Sequence, residues 1–122
     1  MQHSPGFLRL VDDARTRIRE ITVADARTRL AQNPRTVLLD VREDHEWLNG
    51  HADGSRHLGR GILERDFEQL FPDPDTEIIM YCGGGFRSAL ACDAVQKMGY
   101  RRVSSLIGGY KGLVSAGWPV VK

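Results

Sequence analysis

One stretch constrains the fold more than any other: the apolar run Ile78-Ile79-Met80-Tyr81, then Cys82 and three consecutive glycines, then a helical pattern from Ser88 to Met98. Four successive apolar residues have no face to offer water, as in a strand buried on both sides of a parallel sheet. In the following segment Leu90, Ala91, Ala94, Val95 and Met98 fall on one helical face. Gly83, Gly84 and Gly85 let the connecting backbone turn with its N–H groups inward, because a residue without Cβ reaches positive φ without a clash. Such a ring of amides is an anion nest. Arg87 adds a cation, and the helix start adds a partial positive charge of roughly half a unit. All three favour a thiolate over a thiol, which makes Cys82 the candidate nucleophile. An inert core cysteine, the alternative, requires neither the glycines nor the arginine.

The rest of the chain repeats the alternation of strand and helix. Residues 8–19 carry a weak helical pattern through Leu8, Val11, Ala14 or Arg15, and Ile18. Glu20-Ile21 reads as a short strand, and Thr22 as the N-cap of a helix from Val23 to Gln32, with Asp25 in the capping-box position and Asn33-Pro34 as the stop. Residues 36–40 form a strand, 44–48 a short helix closed by Asn49-Gly50, and 51–61 a loop with a short strand near 56–58. A helix over 62–70 ends at Phe71-Pro72-Asp73-Pro74-Asp75, and 102–106 is a strand. Gly108-Gly109 opens a last helix that Gly117-Trp118-Pro119 ends. This order predicts an α/β sandwich with a mainly parallel sheet. Asp40 and Cys82 both fall at carboxyl ends of strands, where such sheets collect ligands.

At 122 residues the chain is one domain, able to bury about two-thirds of its unfolded surface. A net charge of +1 points to neither nucleic acid nor membrane as a partner. Arg15, Arg17 and Arg19 read as a solvated helix face. No signal-peptide core and no long apolar run occurs, so a soluble, cytoplasmic protein is expected. Two cysteines are too few for a disulfide scaffold, and Cys92 lies off the apolar stripe as a small flanking residue. His45, His51 and His57 recur every six residues, which matches no ligand spacing, so neither metal nor cofactor is expected.

Taken together these blocks resemble a single-domain rhodanese. The resemblance spans Ile21 to Val120 and is carried by Leu38-Leu39-Asp40-Val41-Arg42-Glu43 with Glu46-Trp47, by the turn from Gly50 to Ser55, by Tyr81 to Ser88, and by Gly99-Tyr100, Val103 and Leu106 to Tyr110. Asp53 and Gly59 stand where the family usually has proline, which loosens that loop. The resemblance implies a three-layer α/β sandwich over 20–122, a mainly parallel central sheet flanked by helices, with residues 1–19 as a helical packing extension. It also implies a sulfurtransferase. Cys82 would take sulfane sulfur from a donor such as thiosulfate, carry it as a persulfide among Gly83, Gly84, Gly85, Phe86, Arg87 and Ser88, and pass it to a thiophilic acceptor or acceptor protein. Arg87 would orient the donor's oxyanion, while Asp40, Arg42 and Glu46 would support the loop through ion pairing.

Two other readings compete. A cysteine-dependent phosphatase also surrounds a tetrahedral anion with amides and an arginine, but its loop has one more residue between cysteine and arginine than the four from Gly83 to Phe86, and a histidine where this chain has Tyr81. A non-catalytic or protein-to-protein sulfur carrier could use the same scaffold, since fold alone does not establish activity. Phe86, at the mouth of the loop, would either meet a partner or pack on its neighbours. Arg60 follows the short strand without a role that its position defines.

Overall fold

The computed structural model describes residues 2–122. In chain order its elements are α1 (Pro5–Arg15), β1 (Glu20–Ile21), α2 (Val23–Gln32), β2 (Val37–Asp40), α3 (Asp44–Leu48), β3 (His51–Ala52), β4 (Ser55–His57), a 3-10 turn (Arg60–Ile62), α4 (Leu63–Leu70), β5 (Ile78–Tyr81), α5 (Phe86–Lys97), β6 (Val103–Leu106), α6 (Gly109–Ser115) and β7 (Val120–Val121). Five strands form one sheet in the order β1-β6-β5-β2-β4, and every pairing in it is parallel. Helices cover both faces, as parallel strands require. Strands β3 and β7 pair antiparallel in a separate small sheet. That pairing of two-residue segments leaves too little pattern to read in advance.

Alternation along β5 divides the core in two. Ile78 and Met80 join Cys82, Leu39, Phe67, Val95 and Val103 on one side, while Ile79 and Tyr81 join Leu38, Ala26, Leu106 and Leu113 on the other. This is the two-residue period of a strand. Because β5 is the middle strand, its carboxyl end delivers Cys82 to the centre of the sheet's edge, flanked by β2 and β6.

Several local expectations shift. Helix α1 starts at Pro5, suited to the first helical position, and stops at Arg15 rather than 19. It lies against α5 with Val11 and Ala14 buried, a contact in which the valine alone contributes about 1.5–3 kcal/mol. Of the basic spacing only Arg15 lies on the helix; Arg17 and Arg19 fall beyond it and are exposed to solvent, so they do not form a helix face. Residues beyond Arg15 leave the helix, so Arg17 turns back onto α5, where its Nε and Nη2 donate to Asp93 at 2.9 and 2.8 Å. Cys92 is also corrected: it is fully buried in the core beside Cys82, because α5 packs on the sheet and on α1 and α4 at once. Burial pushes its thiol pKa up. Leu90, expected on the buried stripe, is half-buried instead. Both cysteines are free thiols. Among the described residues no helix is long and apolar enough to cross a membrane.

Candidate active site

The Cys82 loop is held by the elements on either side of it. At its end, Gly85 takes φ +99° as the residue before α5, and a Cβ there would stand 3.3 Å from the Leu106 carbonyl oxygen. Of the three glycines only Gly85 has positive φ, and a side chain at Gly84 would meet only ordinary contacts. From α6, the Tyr110 N–H donates to the Cys82 carbonyl at 2.7 Å and the Lys111 N–H to the Gly83 carbonyl at 3.2 Å. Gly109 lies so close beneath the loop that a Cβ would overlap the Cys82 carbonyl oxygen, and its φ is +54°.

This turn aims donors at sulfur. The Gly85 N–H and the Ser88 N–H point at Cys82 Sγ from 3.2 and 3.3 Å. Ser88 contributes its N–H because the first-turn amides of a helix have no acceptor within it. The Ser88 hydroxyl lies 3.5 Å from Sγ and 2.7 Å from the hydroxyl of Ser105, a fully buried residue of β6. The Cys82 thiol donates to the Ser88 hydroxyl, and the Ser88 and Ser105 hydroxyls share a hydrogen bond in which either can donate, so the hydroxyls can also turn to donate towards sulfur. Ser105 had no local signal in the sequence, since strand pairing alone brings β6 beside β5.

Arg87 is fixed by Glu46. Its two terminal nitrogens donate to the two carboxylate oxygens at 2.7 and 3.1 Å, a planar fork that leaves its other N–H groups free. Those hydrogen bonds hold the Glu46 carboxyl near pKa 2, from an ordinary 4.5, and raise the guanidinium in turn. Glu46 also accepts from the Glu43 N–H in the capping box of α3, so α3 aims the carboxylate.

Asp40 and Arg42 form a different unit. Arg42 Nε donates to Asp40 at 3.0 Å and Nη2 donates at 2.7 Å to both Asp40 and the Gly50 carbonyl, all of it buried. The guanidinium lies 4.1 Å from the Tyr110 ring centroid. This pair therefore stabilises the Gly50 turn and Tyr110, whose N–H holds Cys82; it does not line the cavity. Arg60 pairs with Glu64 and stands apart from the cavity as well.

Cys82 opens into a cavity of about 670 Å³ lined by Gly83, Gly84, Phe86, Arg87, Glu46, Lys111, His3 and Phe7. The last two come from the amino-terminal segment, which sequence reading treated as packing only. His3 lies 4.4 Å from the Phe86 ring and Phe7 6.3 Å from it, centroid to centroid, with the Arg15 guanidinium 5.0 Å from the Phe86 ring centroid. Phe86 is thus packed, and it forms part of an aromatic wall.

Comparison with known proteins agrees with the fold. The profile of the rhodanese-like domain family matches residues 22–116. The thiosulfate sulfurtransferase GlpE of Stutzerimonas stutzeri strain A1501 is 36% identical over 80 residues, 66% of this chain and 72% of that protein. A solved structure from Rhodopseudomonas palustris CGA009, described as a protein of unknown function and possible tyrosine phosphatase, is similar with TM-score 0.85 and 30% identity, covering 99% of this chain and 98% of that one. The polysulfide-sulfur transferase homodimer of Wolinella succinogenes follows with TM-score 0.81 and 27% identity, covering 95% and 87%.

Proposed function

The chain belongs to the rhodanese-like domain family, and from that premise we propose that it is a sulfurtransferase that carries sulfane sulfur from thiosulfate to a thiophilic acceptor through a persulfide on Cys82. The observation that carries this reading is the convergence of the Gly85 N–H, the Ser88 N–H and the Ser88 hydroxyl on Cys82 Sγ within 3.5 Å. Donors so placed stabilise an anionic sulfur and the anionic outer sulfur of a persulfide after it.

In the first half-reaction Sγ attacks the sulfane sulfur of thiosulfate. A new S–S bond forms, the donor's S–S bond breaks, and sulfite leaves with its electron pair. The free N–H groups of Arg87 meet the donor's oxyanion. In the second, an acceptor nucleophile attacks the outer sulfur, and the pair of the breaking bond returns to Sγ. We take residues 20–122 as the sulfur-transfer domain and the residues before them as an extension whose helix α1 packs on α5. We place the reaction in the cytoplasm, where thiols such as the two unbridged cysteines stay reduced.

Phosphoryl transfer, suggested by the description of the Rhodopseudomonas palustris structure, fits less well: four residues between Cys82 and Arg87 make a tight ring, better suited to one sulfur atom than to a phosphoryl group. Intact mass after incubation with thiosulfate and removal of excess tests the proposal. A gain of one sulfur atom that is absent in Cys82→Ser is expected; an unchanged wild-type mass, or an aryl phosphate hydrolysed by wild type and not by the variant, overturns it.

A further inference from the structure

Thiosulfate, a handful of heavy atoms, occupies a small part of a 670 Å³ cavity, a volume within the roughly 300–1,000 Å³ that takes a drug-sized organic molecule. The remainder has two poles. One is the cluster of His3, Phe7 and Phe86 rings, with His3 and Phe7 5.2 Å apart and each also beside Phe86. All three side chains are half-buried, so part of each ring is open to the cavity. The other pole is Lys111. Its backbone is tied to the cysteine loop through the Gly83 carbonyl, and its exposed ammonium forms no ion pair among the described residues. Arg87, the other cation of the cavity, already has its charge matched by Glu46.

Aromatic faces and edges recruit a further planar ring in offset or edge-on contact, and an unmatched ammonium recruits an anion. We propose that the sulfur acceptor is a small aromatic thiol bearing a carboxylate, its ring against His3, Phe7 and Phe86 and its carboxylate at Lys111. This rests on the sulfur-transfer reading of Cys82. The acceptor's thiolate attacks the outer sulfur of the Cys82 persulfide and forms a new S–S bond. The bond between Sγ and that sulfur breaks, its electron pair returns to Sγ, and the product leaves as an aromatic persulfide with no external oxidant or reductant. The amino-terminal segment is then a specificity wall, delivered to the site by the packing of α1 on α5.

The test separates loading from discharge. Protein loaded with thiosulfate and freed of excess is mixed with 4-mercaptobenzoate, thiophenol or 3-mercaptopropionate at equal thiolate concentration, and loss of the extra sulfur is followed by intact mass. Once each rate is divided by that of the same thiol with a small-molecule persulfide, which removes intrinsic nucleophilicity, the ring with the carboxylate is expected to discharge the protein about tenfold faster than either control, the scale of one aromatic or ionic contact. Phe7→Leu, which keeps apolar volume, should reduce the preference over the aliphatic thiol, and Lys111→Met the preference over thiophenol. Calorimetry with 4-(methylthio)benzoate, which cannot accept sulfur, reads the same subsite without turnover and should show binding weakened about tenfold in each variant. Equal normalised discharge by all three thiols, or preferences that survive both substitutions, overturns the subsite and leaves the sulfur-transfer reading standing. Binding with the expected variant effects in a protein that takes up no sulfur supports the subsite and overturns the transfer reading instead.

Discussion

Arg87 and Glu46, 41 residues apart in the chain, meet fork to fork at 2.7 and 3.1 Å at the edge of the Cys82 cavity. The carboxylate sets the plane of the guanidinium, and so sets which N–H groups remain for a donor. Glu46→Gln keeps the shape and removes the charge. It should lower kcat/KM for thiosulfate about tenfold, ~1.4 kcal/mol, near the range of a hydrogen bond to a charged group. Arg87→Lys should lose more, because a point ammonium cannot make the fork. Steady-state rates with thiosulfate and cyanide check both; a fully active Glu46→Gln would show that the arginine needs no partner.

The same pair predicts an acid dependence. Arg87 holds Glu46 at about pKa 2, below its ordinary 4.5. A carboxyl depressed in the folded state stabilises it fully above 4.5, and the contribution drains away as pH falls from 4.5 towards 2. Urea unfolding of wild type and Glu46→Gln should therefore differ most near neutral pH and converge towards pH 2. Subtracting the two removes the other acidic groups. A difference that does not depend on pH would contradict the assignment.

Asp40 is expected to matter for stability rather than for chemistry. Arg42 is buried against it and against the Gly50 carbonyl, so Asp40→Ala strands a guanidinium in the interior. Breaking a buried pair from one side costs about 3–5 kcal/mol. The midpoint of chemical denaturation should fall accordingly, with the slope unchanged. A loss under 1 kcal/mol would mean that Arg42 escapes to water.

Gly109→Ala should disable the loop from below. At φ +54° a side chain is strained by about 1–2 kcal/mol, and here its Cβ would also collide with the Cys82 and Gly83 backbone. Persulfide loading should be lost along with stability. Gly117→Ala is the control: its φ is +81°, but nothing stands within 4 Å. It should cost stability and leave loading in place.

What could be read in advance was what the chain specifies locally. The apolar runs ending at Asp40 and Tyr81, the Thr22 cap whose hydroxyl accepts from the Asp25 N–H, and the 44–48 helix all follow from neighbours within a few residues. The cysteine loop was legible for the same reason. Long-range geometry was not. Glu46 looked like part of the Asp40 and Arg42 group because they are close in sequence, yet α3 turns it towards Arg87. Ser105 carries no motif of its own, and Gly109, although it lies in the closing block of the resemblance, gains its place at the site only because α6 passes beneath Cys82. Cys92 was misplaced because a helical wheel assumes one buried face, and α5 has neighbours on several.

The two amides of α6 that hold the Cys82 and Gly83 carbonyls come from Tyr110 and Lys111, which follow Cys82 in the chain. A ribosome builds the chain from its amino terminus, so both strands that flank Cys82, β2 and β6, are made before those amides exist. During synthesis the thiol is present while its cradle is not. The cradle of Cys82 is therefore complete only once α6 docks, and sulfur loading is expected to report that docking.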